Sequence, residues 1–395
     1  MSHYLDHAAT TPMRASARAA WADAAARLAS GEWANASSLH APGRAARGAV
    51  EDARERVAGA LGAHPTEVIF TSGATEANNL AIKGSYWARA TQAEGAARCI
   101  VTSAVEHHAA LDPARWLARE HGAEIFELPV DAQARIDLGA LEGAVPGAAL
   151  VSIQWVNNET GTIQPVREVV QAAANAGGSG PVPVHSDAAQ AVPYLTIDFA
   201  ASGLTTMAVS AHKLGGPVGV GALLARRDAK LMPLTHGGGQ ERRVRSGTLD
   251  VAGIVAFAAA LDEVGATREA EAARLELLRE RLVKGITAHV PEVRLSGPDE
   301  PAQRSPHIVH LVIPGAPSEA LLFALDQEGI AASSGSACTA GVVDASHVAL
   351  AMGCDAQQAA QTLRLSLGHT STGADIEAVI AALPSVVAKA RATLR

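Results

Sequence analysis

From Glu67 onward, apolar runs of strand length alternate with longer amphipathic stretches. The runs lie within "EVIFTSG", "RCIVTSAVEH", "AEIFELPV", "AALVSIQWVNNE", "VPVHSDAAQ", "MAVSAHK" and "GVGALLARR". This alternation predicts βαβ units around a mostly parallel sheet. Several of the strands stop directly at polar, potentially reactive residues. Ligands of open α/β sheets lie beyond the carboxyl ends of the strands, so a site is expected there.

After "RSGTLD" the texture turns helical. "AARLELLRERLVKGI" places Leu275, Leu278, Leu282 and Ile286 at three- and four-residue steps, which predicts a connecting helix into a second domain. That domain is expected to hold the strands "HIVHLVI", "IAASSGS" and "LRLSLG" and to close on an Ala-rich helix from about Asp375. "AGGSGPVP", near Gly177, reads as a loop between a helix and a strand.

The length of 395 residues exceeds what one core usually covers, which agrees with two domains. Aromatics are only 3% of a chain that is 48% hydrophobic, so small aliphatic contacts should fill the interior. The formal charge is -8, and no block of Lys or Arg appears, which argues against a nucleic-acid surface and favours small molecules or proteins as partners. "MSHYLDHAATTP" has no basic start and no apolar leader, and "VAGIVAFAAAL" from Val251 is too short to span a bilayer, so the expected location is the cytoplasm. Cys99, Cys338 and Cys354 are odd in number and lack metal-type spacing. Reduced thiols, with neither a disulfide framework nor a metal site, are the expectation.

In "VSAHKLGGPVGVG", Lys213 follows a strand and precedes a glycine-rich turn. A lysine among apolar and small groups can have its pKa lowered, freeing the amine for a Schiff base with an aldehyde. Ser210 and His212 beside it can donate to a phosphate; an isolated His-Lys pair would instead read as a solvated loop, and the motifs around it reverse that reading. "TSGATEANN" ends a strand at small residues and starts a helix near Thr75, either an anion cradle or an ordinary helix cap. Asp187 in "HSDAAQ" can keep a pyridine nitrogen protonated, with Gln190 reaching a ring hydroxyl, or it can cap the next helix. His107 and His108 in "SAVEHHAAL" offer an imidazole to stack on a ring and move protons, the other serving the surface or a cap. Asn158 in "WVNNETG" adds an amide, and Arg364 in "LRLSLGHTS" can grip a carboxylate or form a structural ion pair with an internal Asp or Glu. Cys338 stands in "ASSGSACTAG", where small residues offer the thiol no pocket, whereas Cys99 and Cys354 read as small buried hydrophobes.

In their order, "LDHAATTP", "NASSLH", "TSGATEANN", "VEHH", "VNNETG", "HSDAAQ", "SAHK", "HGGGQERRVRSGT", "SSGSACTAG" and "RLSLGHT" give a chain that resembles the cysteine desulfurases of the IscS and NifS group, within the class V aminotransferases. The resemblance implies the pyridoxal-phosphate-dependent, aspartate aminotransferase-like α/β fold. A large cofactor-binding domain is expected over residues 15–262. Residues 1–14 and 263–395 are expected to form a smaller α+β domain carrying the catalytic cysteine loop. It further implies that Lys213 holds pyridoxal phosphate, that His107 stacks on the ring, that Asp187 pairs with its nitrogen, and that Gln190 contacts its oxygen. Ala74, Thr75, Ser210 and His212 join the cofactor-binding set, with Thr248 reaching from the partner subunit of a homodimer. Asn158 and Arg364 hold the carboxylate of L-cysteine, and Cys338 accepts the sulfur. The implied reaction yields L-alanine and an enzyme persulfide for an acceptor in iron-sulfur cluster assembly, thiolation or DNA phosphorothioation. A selenocysteine lyase, another enzyme of class V aminotransferase type, and a sulfur-relay scaffold without turnover are the rival readings. Arg242, Arg243 and Arg245 are open between a dimer interface, the substrate entrance and a solvated edge.

Overall fold

The computed structural model describes residues 3–90, 97–176, 181–335 and 345–393. Its strands are β1 (His3–Tyr4), β2 (Val68–Thr71), β3 (Cys99–Ser103), β4 (Glu124–Leu128), β5 (Ala148–Ser152), β6 (Val184–Asp187), β7 (Thr206–Ser210), β8 (Gly221–Ala225), β9 (Arg294–Ser296), β10 (Ile308–Val312), β11 (Ile330–Ala331) and β12 (Thr362–Ser366).

Seven of them form one sheet in the order β2-β8-β7-β6-β5-β3-β4. Only β8 runs against its neighbours; the other pairings are parallel. Apolar side chains predominate in β2, β5, β7 and β8, which suits strands that sit between helices. β2, β5, β7 and β8 are buried along their whole length, as a sheet covered on both faces requires. Helix Ala74–Ala90 covers one face, against β5, β7 and β8. The buried cluster on the other face includes Phe70, Val151, Met207 and Leu224 from the sheet and Phe257 from the long helix Val251–His289.

A second apolar cluster gathers Leu275, Leu282 and Ile286 from that same helix with β10, β12 and helix Gly373–Ala392. Here β12, β10 and β9 pair antiparallel. Residues 3–5 join this part of the fold, since β1 pairs parallel with β11 and Leu5 is buried in the cluster. Helix Val251–His289, 39 residues long, is therefore shared by both cores. Among the described residues no helix is long and apolar enough to cross a membrane.

The loop after β8 is held by charge. Glu241, 2% exposed, accepts from Arg54 through both oxygens at 2.7 and 2.8 Å and from the backbone of Phe70 at 2.8 Å. Arg242 and Arg243, at φ 52° and 58°, turn the chain through the left-handed region. Arg242 then donates to the carbonyl of Ala225 at 3.0 Å, and Arg245 pairs with Glu76 at 2.9 Å. Glu241→Gln leaves the buried Arg54 guanidinium with only the exposed Glu51, 3.1 Å from its Nε, as counter-charge, which should lower stability by about 2–3 kcal/mol. Urea unfolding monitored by circular dichroism checks this; a loss below about 1 kcal/mol would mean that the pair does not anchor the loop.

Candidate active site

A cavity of about 570 Å³ opens beyond the carboxyl ends of β2, β6 and β7. It brings together Ala74, Thr75, His107, Asp187, Gln190 and Lys213; Asn158, Ser210, His212 and Arg364 complete its wall. Thr248 lies outside it, on an exposed stretch just before the long helix. Cys338 falls outside the described residues.

At the end of β2 the chain turns at Gly73, with φ +149°, where a side chain would be strained. A Cβ on Gly221 of β8 would stand 2.7 Å from the Gly73 Cα, so the two glycines let the turn lie close against the sheet. The helix that follows starts at Ala74 and places Thr75 in its first turn, not at the cap. Its unpaired backbone N–H groups make the rim of the cavity suited to an anion. Ser210 lies at the end of β7, in the same wall. His212 sits 3.2 Å from the Thr10 hydroxyl, and burial together with the charge of Lys213 pushes it down to about 4, so its ring is neutral near pH 7.

Lys213 ends the short 3-10 turn after β7. Its Nζ donates to the carbonyls of Ala8 at 2.6 Å and Ala9 at 2.8 Å. Burial, and next the Arg364 guanidinium, lower its pKa to about 8 against the opposing pull of Asp187 and Asp6. Gln190 donates to the same Ala8 carbonyl at 2.8 Å and lies 3.1 Å from His307 Nε2. Residues 6–9 are thus part of the site, contributing two carbonyls and a carboxylate.

Asp187, at the end of β6, does both things its sequence allows. Its Oδ1 accepts from the backbone of Ala189 at 2.9 Å, as a cap would, while Oδ2 accepts from Asn78 at 2.6 Å and the carboxylate faces the cavity. His107 likewise caps helix His108–His121, its Nδ1 accepting from Ala109 at 3.1 Å, and also lines the cavity; burial lowers its pKa. His108 is the surface partner, 3.1 Å from Asp112 and edge-on to His347.

Arg364 makes the structural ion pair its buried position calls for. Nη2 donates to Asp6 at 2.9 Å and Nη1 to the Asn158 carbonyl at 3.0 Å, whereas Nε is buried with no partner. The internal acid expected for Arg364 is Asp6, which no local pattern identifies beyond its place between Leu5 and His7 in "LDHAATTP". Nothing local marks Asn78 or His185, whose partners come from other elements. Among the described residues, no group of three or more His, Cys, Asp and Glu could hold a metal ion. The arrangement offers a nucleophilic amine, a carboxylate, an imidazole, a fixed guanidinium and an anion-binding helix end around one space.

The class-V aminotransferase family matches residues 3–379. An IscS-like cysteine desulfurase of Mycobacterium tuberculosis is 51% identical over 391 residues, covering 98% of this chain and 97% of that protein. The solved structure of a NifS-like protein superposes with a TM-score of 0.88 at 30% identity, covering 98% of this chain and all of that one (100%). The solved structure of SspA in complex with cysteine does so with a TM-score of 0.77 at 31% identity, covering 93% and 99% of the two chains. The mixed sheet and its flanking helices are those of the aspartate aminotransferase-like fold. The chain belongs to the IscS/NifS-like cysteine desulfurases of the class-V aminotransferase family.

Proposed function

We propose that the protein converts L-cysteine to L-alanine and carries the released sulfur as a persulfide on Cys338 for transfer to an acceptor. The observation that carries this reading is Lys213, held at about 8 in a cavity that also presents Asp187, His107 and Arg364. The crystallised SspA relative binds cysteine, which fits the same substrate here.

The residues fit pyridoxal phosphate. The helix end at Ala74 and Thr75, with Ser210 and His212, suits its phosphate, and Thr248 is on an exposed stretch from which it can reach a second copy in a homodimer. His107 suits a ring face, Asp187 a ring nitrogen and Gln190 a ring oxygen. Bound through Lys213, the cofactor supplies an electron sink for a negative charge developing at the substrate α-carbon.

The chain's own residues do the rest. Lys213 Nζ holds the proton taken from the α-carbon once substrate has displaced it. Arg364 and Asn158 orient the substrate carboxylate from the cavity wall. The Cys338 thiolate attacks the substrate sulfur; the S–S bond forms as the carbon–sulfur bond breaks. The electron pair of that bond stays with the carbon, which takes up a proton to leave alanine. His107, neutral because it is buried, can pass protons at the mouth of this step. A thiol that must stay reduced suits the cytoplasm. We divide the chain between a cofactor-binding part, residues 15–262, and a part carrying Cys338, residues 1–14 and 263–395.

Two measurements test these roles. Competitive acylation of the cofactor-free protein should give Lys213 an apparent pKa near 8, with the neutral amine gaining above that pH. A value at the ordinary 10.5 would contradict the buried, activated amine. In the holoenzyme, Lys213→Ala should abolish alanine formation and the borohydride-reducible lysine link. Cys338→Ser should retain the visible spectral response to L-cysteine yet form no persulfide and almost no alanine. Undiminished alanine from Cys338→Ser would assign the chemistry to a lyase that does not need this thiol.

A further inference from the structure

Behind Asp187 a single line of polar groups crosses the buried sheet. Thr206, His185 and Asn78 are each 0% exposed. His185 on β6 lies directly opposite Thr206 on β7, and its Nδ1 is 2.9 Å from the threonine Oγ1. Its Nε2 is 2.9 Å from Asn78 Oδ1, and Asn78 Nδ2 donates to Asp187 Oδ2 at 2.6 Å.

The last link fixes the direction of all the others. A carboxylate only accepts, so the Asn78 amide nitrogen must face Asp187 and its carbonyl must face His185. His185 must then carry its proton on Nε2, which leaves Nδ1 to accept from the Thr206 hydroxyl. Burial pushes His185 down to about 4, so the neutral ring that this pattern demands is the form present near pH 7. One alternative flips every bond: Asn78 turns its carbonyl to Asp187, which requires a protonated Asp187 and an accepting Nε2. The backbone N–H of Ala189, donating to the other carboxylate oxygen at 2.9 Å, is compatible with the first arrangement.

We propose that Asn78, His185 and Thr206 are positioning residues that aim the Asp187 carboxylate at the cofactor ring nitrogen. The inference rests on the role given to Asp187 under the proposed function. Three residues that never touch the cofactor thereby set how firmly its nitrogen holds a proton. Since that proton is what makes the ring an electron sink, they influence the chemical step and leave substrate binding alone.

The test uses the holoenzyme. Nitrogen-15 spectra with labelled histidine should show His185 protonated on Nε2 and bare on Nδ1. A His185 proton on Nδ1 would overturn the proposal. His185→Leu removes the donor that orients Asn78; kcat should fall about tenfold to a hundredfold, with KM within about threefold, and the visible band of the bound cofactor should shift. His185→Gln places an amide N–H where Nε2–H stood and should bring both kcat and the band back to within about threefold of wild type, a rescue that a mere packing role would not give. A folded His185→Leu protein with wild-type kcat and spectrum would refute the relay. If His185→Leu does not fold, Thr206→Val, which removes only the hydroxyl facing Nδ1, takes its place. It should shift the His185 nitrogen signals and lower kcat about threefold to tenfold, and unchanged signals would count against the proposal. Wild-type protein that makes no alanine would sink the proposed function instead, while the nitrogen-15 spectrum still decides the tautomer.

Discussion

Two cations share one crevice, and the arrangement of the site follows from how they are kept apart. Lys213 and Arg364 both face the cavity, and burial together with the Arg364 guanidinium raises the cost of charge on Lys213. Residues 6–9 answer both: the Asp6 carboxylate takes Arg364, and the Ala8 and Ala9 carbonyls take Lys213 Nζ. What remains of the conflict falls on the lysine, because an ammonium can release its proton and a guanidinium does not. The result is one permanent cation beside one amine that can become neutral.

The large sheet supplies the opposite kind of control, through rigidity. Asp187, Ser210 and the Gly73 turn all sit where strands end, so their positions are set by the ladder and not by loops. The neutral His185 behind Asp187 continues the same logic inside the sheet, where a polar group must be fully partnered. The cavity wall therefore draws on two environments: a partly open cleft around the amine, and a buried sheet interior behind the carboxylate.

All seven strands of the large sheet fall within the runs read from the sequence, because apolar stretches of strand length bounded by turn residues mark them even where β4 is exposed and β6 carries polar side chains. β1 and β9 escaped that reading. Two or three residues such as "HY" and "RLS" carry no period, and only their neighbours make them strands. "IAASSGS" forms β11 over just Ile330–Ala331, and the segment with Cys338 lies outside the described residues. Within the site, strand-end residues such as Lys213 and Asp187 could be picked out singly because local motifs bracket them. Their partners could not. Asp6 meets Arg364 across 358 positions, and Asn78 meets Asp187 and His185 across 109 and 107. Contacts at that range leave no local pattern. The arginines of residues 236–248 show the same limit, since only the folded chain directs Arg245 to Glu76 and Arg242 to a carbonyl of β8.

The pairing of β1 with β11 has a consequence for biosynthesis. Residues 5–8 cannot take up their final places until β11 and β12 have been made, because Leu5, Asp6 and Ala8 bond to Ala331, Arg364 and Ser366. The nascent large sheet can form from residues 68–225 well before that, with Lys213 still lacking the carbonyls of Ala8 and Ala9 and the neighbouring Arg364. The surroundings of Lys213 are thus complete only once β12 has been made, so a chain that stops short of Arg364 would hold this amine without the neighbours that lower its pKa.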